Sequence, residues 1–164
     1  MIRQTSQRGR KRSRGQVLVE VLLMLPVFLL LIFTVMETGH LAFRTILLHH
    51  AAYEAARIGS LTASAYAAPG CPPPVINASK MSKIVNAMFP PRAPYPSPQL
   101  SAVPERTLTD PQEGCPNYDV KVTVVHRIPM IFPMTGFILS NTRDRQYRTL
   151  VAEVRMPIER PLFK

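Results

Sequence analysis

The stretch Arg10-Lys11-Arg12-Ser13-Arg14-Gly15-Gln16-Val17-Leu18-Val19-Glu20-Val21-Leu22-Leu23-Met24-Leu25-Pro26 decides the architecture of this 164-residue chain. Cations end just before Gly15, and from residue 17 to residue 36 only Glu20, Pro26 and Thr34 interrupt a run of Val, Leu, Met, Phe and Ile. About twenty helical residues reach roughly 30 Å, the thickness of a hydrocarbon core, so the run predicts a transmembrane helix. A carboxylate inside such a span costs at least a few kcal/mol on insertion scales, which makes Glu20 a functional candidate by default. The alternative is that its side chain snorkels to the headgroups from the first turn.

Charge is divided unevenly along the chain. Arg3, Arg8, Arg10, Lys11, Arg12 and Arg14 precede the span with no acid among them, so the remainder carries only +4 of the formal +10. A basic tail of this kind can bind nucleic acid, with affinity falling steeply in salt. Placed directly against an apolar span, it reads instead as a topogenic signal that holds the N-terminus in the cytoplasm, with the rest of the chain outside. Nucleic acid is not an expected partner.

Two cysteines occur, Cys71 and Cys115, both beyond the span and so in an oxidising compartment on this topology. A disulfide between them would close a loop of more than forty residues, worth roughly 4 kcal/mol on a chain-entropy argument. Two unrelated free thiols are the alternative. A cysteine pair alone does not make a structural zinc site, and no histidine stands at ligand spacing from either.

A conventional secretory signal would end its apolar region in a small-x-small cleavage site, whereas this run continues into Met36-Glu37-Thr38-Gly39-His40. The feature that does look like a cleavage site precedes the run, at Gly15-Gln16. It resembles the signal read by prepilin peptidases, inner-membrane aspartic proteases that cut on the cytoplasmic side and leave the apolar helix on the mature subunit. Cleavage would expose an α-amino group on Gln16 about one helical turn from Glu20. In a low-dielectric assembly that ammonium and a carboxylate, from the same or a neighbouring subunit, offset each other's burial cost and set register. An N-terminal Gln can also cyclise and lose its amine, whereas N-methylation would keep the charge.

Helical character continues past the span. Glu37 to Ala56 contains no proline, and Leu41, Thr45, Leu48, Ala52, Ala55 and Gly59 recur at helical spacing. One helix over residues 16–61, roughly 70 Å long, would present that stripe to a neighbour or to the chain's own sheet. Pro26 removes a backbone donor inside the span, which predicts a kink or a point of bending.

Gly15-x-x-x-x-Glu20, Leu-Leu-Met-Leu-Pro26, Glu37 and Ala51-Ala-Tyr-Glu54-Ala-Ala-Arg57-Ile-Gly59 together resemble the TadE-like family, pseudopilins of the tight-adherence (Flp pilus) assembly system. Val21 and Gln16 stand where family subunits often carry an aromatic, which argues against a major pilin. The resemblance implies maturation by prepilin peptidase, an inner-membrane anchor, and contact with other pilin or pseudopilin subunits and the inner-membrane assembly platform. It does not imply catalysis.

Residues 69–116 are dense in proline, including Pro72-Pro73-Pro74 and Pro90-Pro91. They read as a long loop of polyproline II character, interrupted at most by a short helix at residues 79–88. Beyond Cys115, Tyr118 to Val125 and Arg148 to Met156 alternate and are β-branched, predicting an antiparallel pair packed on the helix stripe. The apolar connection between them, with Ile128, Met130, Ile131 and Phe132, suits core, membrane-proximal contact or partner surface equally.

Reactive residues are sparse. His49 and His50 diverge by about 100° on a helix, His40 and His126 are isolated, and no nucleophile elbow or phosphate loop occurs. The expectation is a non-enzyme without cofactor or metal. The fold expected is a membrane-anchored α+β protein: a basic cytoplasmic leader (1–15), a transmembrane and extended helix (16–61), a proline-rich disulfide-closed loop (62–117) and a small C-terminal antiparallel β element (118–164). The function expected is a minor pseudopilin of the bacterial inner membrane in pilus assembly. The alternative is an uncleaved signal-anchored envelope protein that binds a secretion or adhesion partner.

Overall fold

The computed structural model describes residues 10–63, 73–90, 95–109, 116–140 and 146–158. One helix, α1 (Arg10–Thr62), is 53 residues long and runs unbroken through Pro26. It is followed by α2 (Ala78–Met88), β1 (Gln99–Thr109), β2 (Pro116–Pro129), the single turn α3 (Gly136–Leu139) and β3 (Tyr147–Pro157). Among the described residues, one helix is long and apolar enough to cross a membrane, and its most apolar window is wholly unburied. Thr34, the polar residue near the span's outer end, donates its hydroxyl to the Leu30 carbonyl at 2.8 Å, which hides the group inside the helix's own backbone.

Above the span, α1 changes character because its sequence does. Leu48, Ala51, Ala52, Ala55, Ala56, Gly59 and Ser60 are buried, so the stripe read from the sequence is the face that meets the sheet. Small side chains let the helix approach Val120, Val122, Val124 and Ala152 closely. A Cβ added at Gly59 would lie 2.9 Å from Met81 Cε and 3.2 Å from Val120 Cγ1, which places α1, α2 and β2 in mutual contact there. Asn77 caps α2 by accepting from the Lys80 amide at 3.2 Å, and Met81, Val85 and Phe89, one turn apart, bury against the same core.

The sheet is three-stranded and antiparallel in the order β1-β2-β3. Strict alternation along β2 sends Val120, Val122, Val124, His126 and Ile128 inward. On the outer face Lys121 meets Glu153 at 3.0 Å, and Arg155 bridges Glu153 and Glu105 at 3.6 and 3.3 Å. That exposed network holds the Glu153 carboxyl below its usual range, chiefly through the hydrogen bond from Lys121.

Three expectations need correction. The proline-rich segment is not a loop interrupted only by a short helix: besides α2, which falls at the expected residues 79–88, it holds β1, which pairs with β2 from Gln99↔Val125 to Thr109↔Pro116. Leu100, Ala102 and Pro104 alternate toward the core, and Pro104 is tolerated because β1 is an edge strand, where a missing N–H breaks no second ladder. The C-terminal sheet therefore has three strands rather than two. β2 also extends through Ile128 and Pro129, which the sequence had assigned to the connection. The Cys71–Cys115 pairing lies outside the described residues.

Helix α1 and strand β2 run in opposite directions. Gly59 sits by Val120 and Glu37 by Ile131; between these contacts α1 climbs about 33 Å while β2 descends about 36 Å. The β2–β3 connection is thereby delivered to the point where the apolar span ends.

Candidate functional site

Gly15, Gln16, Glu20 and Pro26 all lie exposed on the first turns of the span. A Cβ at Gly15 would meet nothing within 4 Å, so the fold makes no demand for glycine there. Gln16 and Glu20 share a face one turn apart. Among the described residues, Glu20 has no hydrogen-bond or ion-pair partner.

The structure builds a second site that sequence reasoning passed over, centred on Glu37. Its side chain is fully buried at the outer end of the span. Its Oε2 accepts from the backbone N–H of Phe132 at 2.9 Å and of Ile131 at 3.1 Å. Thr135 donates its hydroxyl to the Phe132 carbonyl at 2.8 Å and lies 3.4 Å from the same carboxylate oxygen. His40, one turn on, brings Nδ1 to 3.8 Å from Oε1. Hydrogen bonds to a carboxylate are stronger than neutral ones, and these donors compensate its burial. Below this latch, Phe132 stacks on Phe33 with centroids 5.6 Å apart. The apolar connection is thus a reversed turn clipped onto the helix where its apolar run ends. The available signal was a lone acid closing an apolar run; its partners lie more than ninety residues away.

A ladder of polar side chains leads away from the boundary. Arg44 Nε donates to His40 Nε2 at 3.4 Å, and its guanidinium lies over the Tyr95 ring at 5.0 Å. Nearby, His126 is buried edge-on to Phe89, with centroids 5.0 Å apart. Among the described residues, neither of its ring nitrogens has a hydrogen-bond partner. Burial first, and the Arg44 charge second, push its pKa below the ordinary histidine value. His49 and His50 line an outer groove with Tyr53 and Glu54, and among the described residues no cluster of three or more metal-ligating side chains forms.

An exposed apolar helix that continues into a small α+β head, with head and helix latched where the apolar run ends, defines a class: a protein with, among the described residues, one candidate membrane span and a head domain folded back on the same helix. Within that class, residues 15–57 match the family model described as TadE-like protein, the family that the sequence resembles. The match suggests involvement in tight-adherence (Flp) pilus systems. No curated protein and no solved structure matches the chain.

Proposed function

We propose that the chain is a minor pseudopilin of Flp-type pilus assembly, a structural rather than catalytic component. On this reading prepilin peptidase cuts between Gly15 and Gln16 on the cytoplasmic side of the inner membrane. The mature subunit keeps α1 as its anchor, with the head outside, and meets other pilin or pseudopilin subunits and the assembly platform. Glu20 carries the reading: it is exposed on the span, one turn from Gln16, and without a partner among the described residues. A new α-ammonium on Gln16, or on a neighbouring subunit, supplies the charge that offsets its burial in an assembly. The family match, beginning at Gly15, supports the same junction.

The test is complementation in a strain that assembles Flp-type pili and lacks this chain, with Glu20→Ala compared against the unaltered protein. The variant is expected in the membrane at normal amount, with piliation lost. Normal pili from Glu20→Ala would remove the assembly role.

A further inference from the structure

The geometry points to a second membrane contact: residues 130–140, the described first part of the β2–β3 connection (130–146), insert their apolar side chains into the outer leaflet of the bilayer that α1 spans, making the head a two-point anchored body. Met130 to Ser140 carries no charged residue. It leaves Ile131, Met134, Phe137 and Ile138 exposed by 52, 66, 75 and 58 %, an apolar density unusual for a short water-facing turn. Position argues that the cover is lipid. Phe132 stacks on Phe33, about 6 Å toward the membrane from Glu37 along α1, so the turn reaches the depth of the span's last helical turn. Its exposed side chains there continue the exposed apolar surface that runs up α1 to Met36.

The flanking chemistry fits an interface. Behind the turn, the first rungs of the sheet are Pro129↔Tyr147, Ile128↔Arg148 and Arg127↔Thr149. Arg148 Nη1 donates to the Leu139 carbonyl at 3.1 Å, and the Arg127 guanidinium lies over the Tyr147 ring at 5.4 Å. Tyr147 thus stands at the first rung behind the turn, with Arg148 about 3 Å and Arg127 about 7 Å further along the strands, the order of groups expected where acyl chains give way to anionic headgroups. The Glu37 latch fixes the height of the turn against the helix. Met134 holds φ at 65°, a left-handed conformation disfavoured for a side chain of its kind, and so keeps an apolar residue at a corner where Asn or Gly would be easier.

The inference rests on α1 spanning the bilayer, and one experiment separates the two. The chain has no tryptophan, so a single introduced indole reports its site alone. Full-length Phe137→Trp, Phe28→Trp in the span and Val103→Trp on the far face of the sheet are each reconstituted in phosphatidylethanolamine–phosphatidylglycerol vesicles, with and without bromine on the upper acyl carbons. The expected result is a blue-shifted emission from Phe137→Trp that is mostly lost to bromolipid, with Phe28→Trp also quenched and Val103→Trp unaffected. Should Phe137→Trp fail to fold, Ile138→Trp carries the same expectation. Quenching of the span variant but not of the turn variant overturns the leaflet contact and leaves the span standing; quenching of neither overturns both. Equal quenching of Phe137→Trp and Val103→Trp overturns the specific contact, since the whole head then lies on lipid. An indole in the turn that is shielded from water-soluble quencher only at high protein-to-lipid ratio, and untouched by bromolipid, assigns the turn to a second copy and overturns the proposal.

Discussion

The carboxylate of Glu37 accepts the backbone N–H of Phe132 at 2.9 Å, joining the outer end of the span to the turn between the last two strands. This bond and its neighbour from Ile131 fix where the head stands relative to the anchor. Without them two part-buried backbone donors would lose their carboxylate partner.

Replacing Glu37 therefore releases the turn without unfolding the sheet. Glu37→Ala should speed amide hydrogen exchange at Ile131 and Phe132 while β2 residues Val120 to Val124 stay protected, and Glu37→Gln, which keeps one acceptor, should fall between. Unchanged exchange at both amides in Glu37→Ala would show that the latch does not hold the turn.

At the other end of the head, packing leaves no room. Gly59→Leu should lower the unfolding free energy in detergent by about 1–3 kcal/mol through overpacking, because Val120 Cγ1 already lies 3.2 Å from where a Cβ would sit. Gly39→Leu, where an added Cβ meets nothing within 4 Å, should leave that free energy nearly unchanged. Equal effects at the two glycines would contradict the assigned contact.

His126 gives the head a pH dependence of definite sign. Its folded pKa is lowered, so above about pH 6.5 both folded and unfolded states hold it neutral and stability is full. As pH falls from there toward the lowered folded value, the unfolded chain takes up the proton first, and stability is lost by up to about 1.4 kcal/mol per pH unit. Denaturant titrations across that window should show the loss, and His126→Leu should flatten it. An identical slope in the variant would place the titration elsewhere.

Gly15→Arg should leave α1 intact, since nothing crowds that position, yet block maturation by prepilin peptidase. A shortened product from this variant, seen on a denaturing gel, would mean that the enzyme does not read Gly15.

Much of this was legible because period and composition carried it. The apolar run, the stripe of Leu48, Ala52, Ala55 and Gly59, and the alternation of β2 and β3 all follow from which residues must leave water. β1 was missed because proline density was read in place of period: Leu100, Ala102 and Pro104 alternate, and an edge position removes the objection to Pro104. His126 looked isolated when taken as a histidine, yet it occupies the next inward place after Val120, Val122 and Val124. The role of Glu37 was not legible, because its donors are backbone N–H groups of a distant turn and backbone donors leave no residue-type signature.

The most direct test of the pilus-assembly account is the N-terminus of the full chain after co-expression with a prepilin peptidase, determined by mass spectrometry on the membrane-bound product. The account predicts a chain that starts at Gln16. A product that retains the basic leader through Arg14 and Gly15 would contradict it, and would favour an uncleaved, signal-anchored envelope protein in which Glu20 has no ammonium to meet.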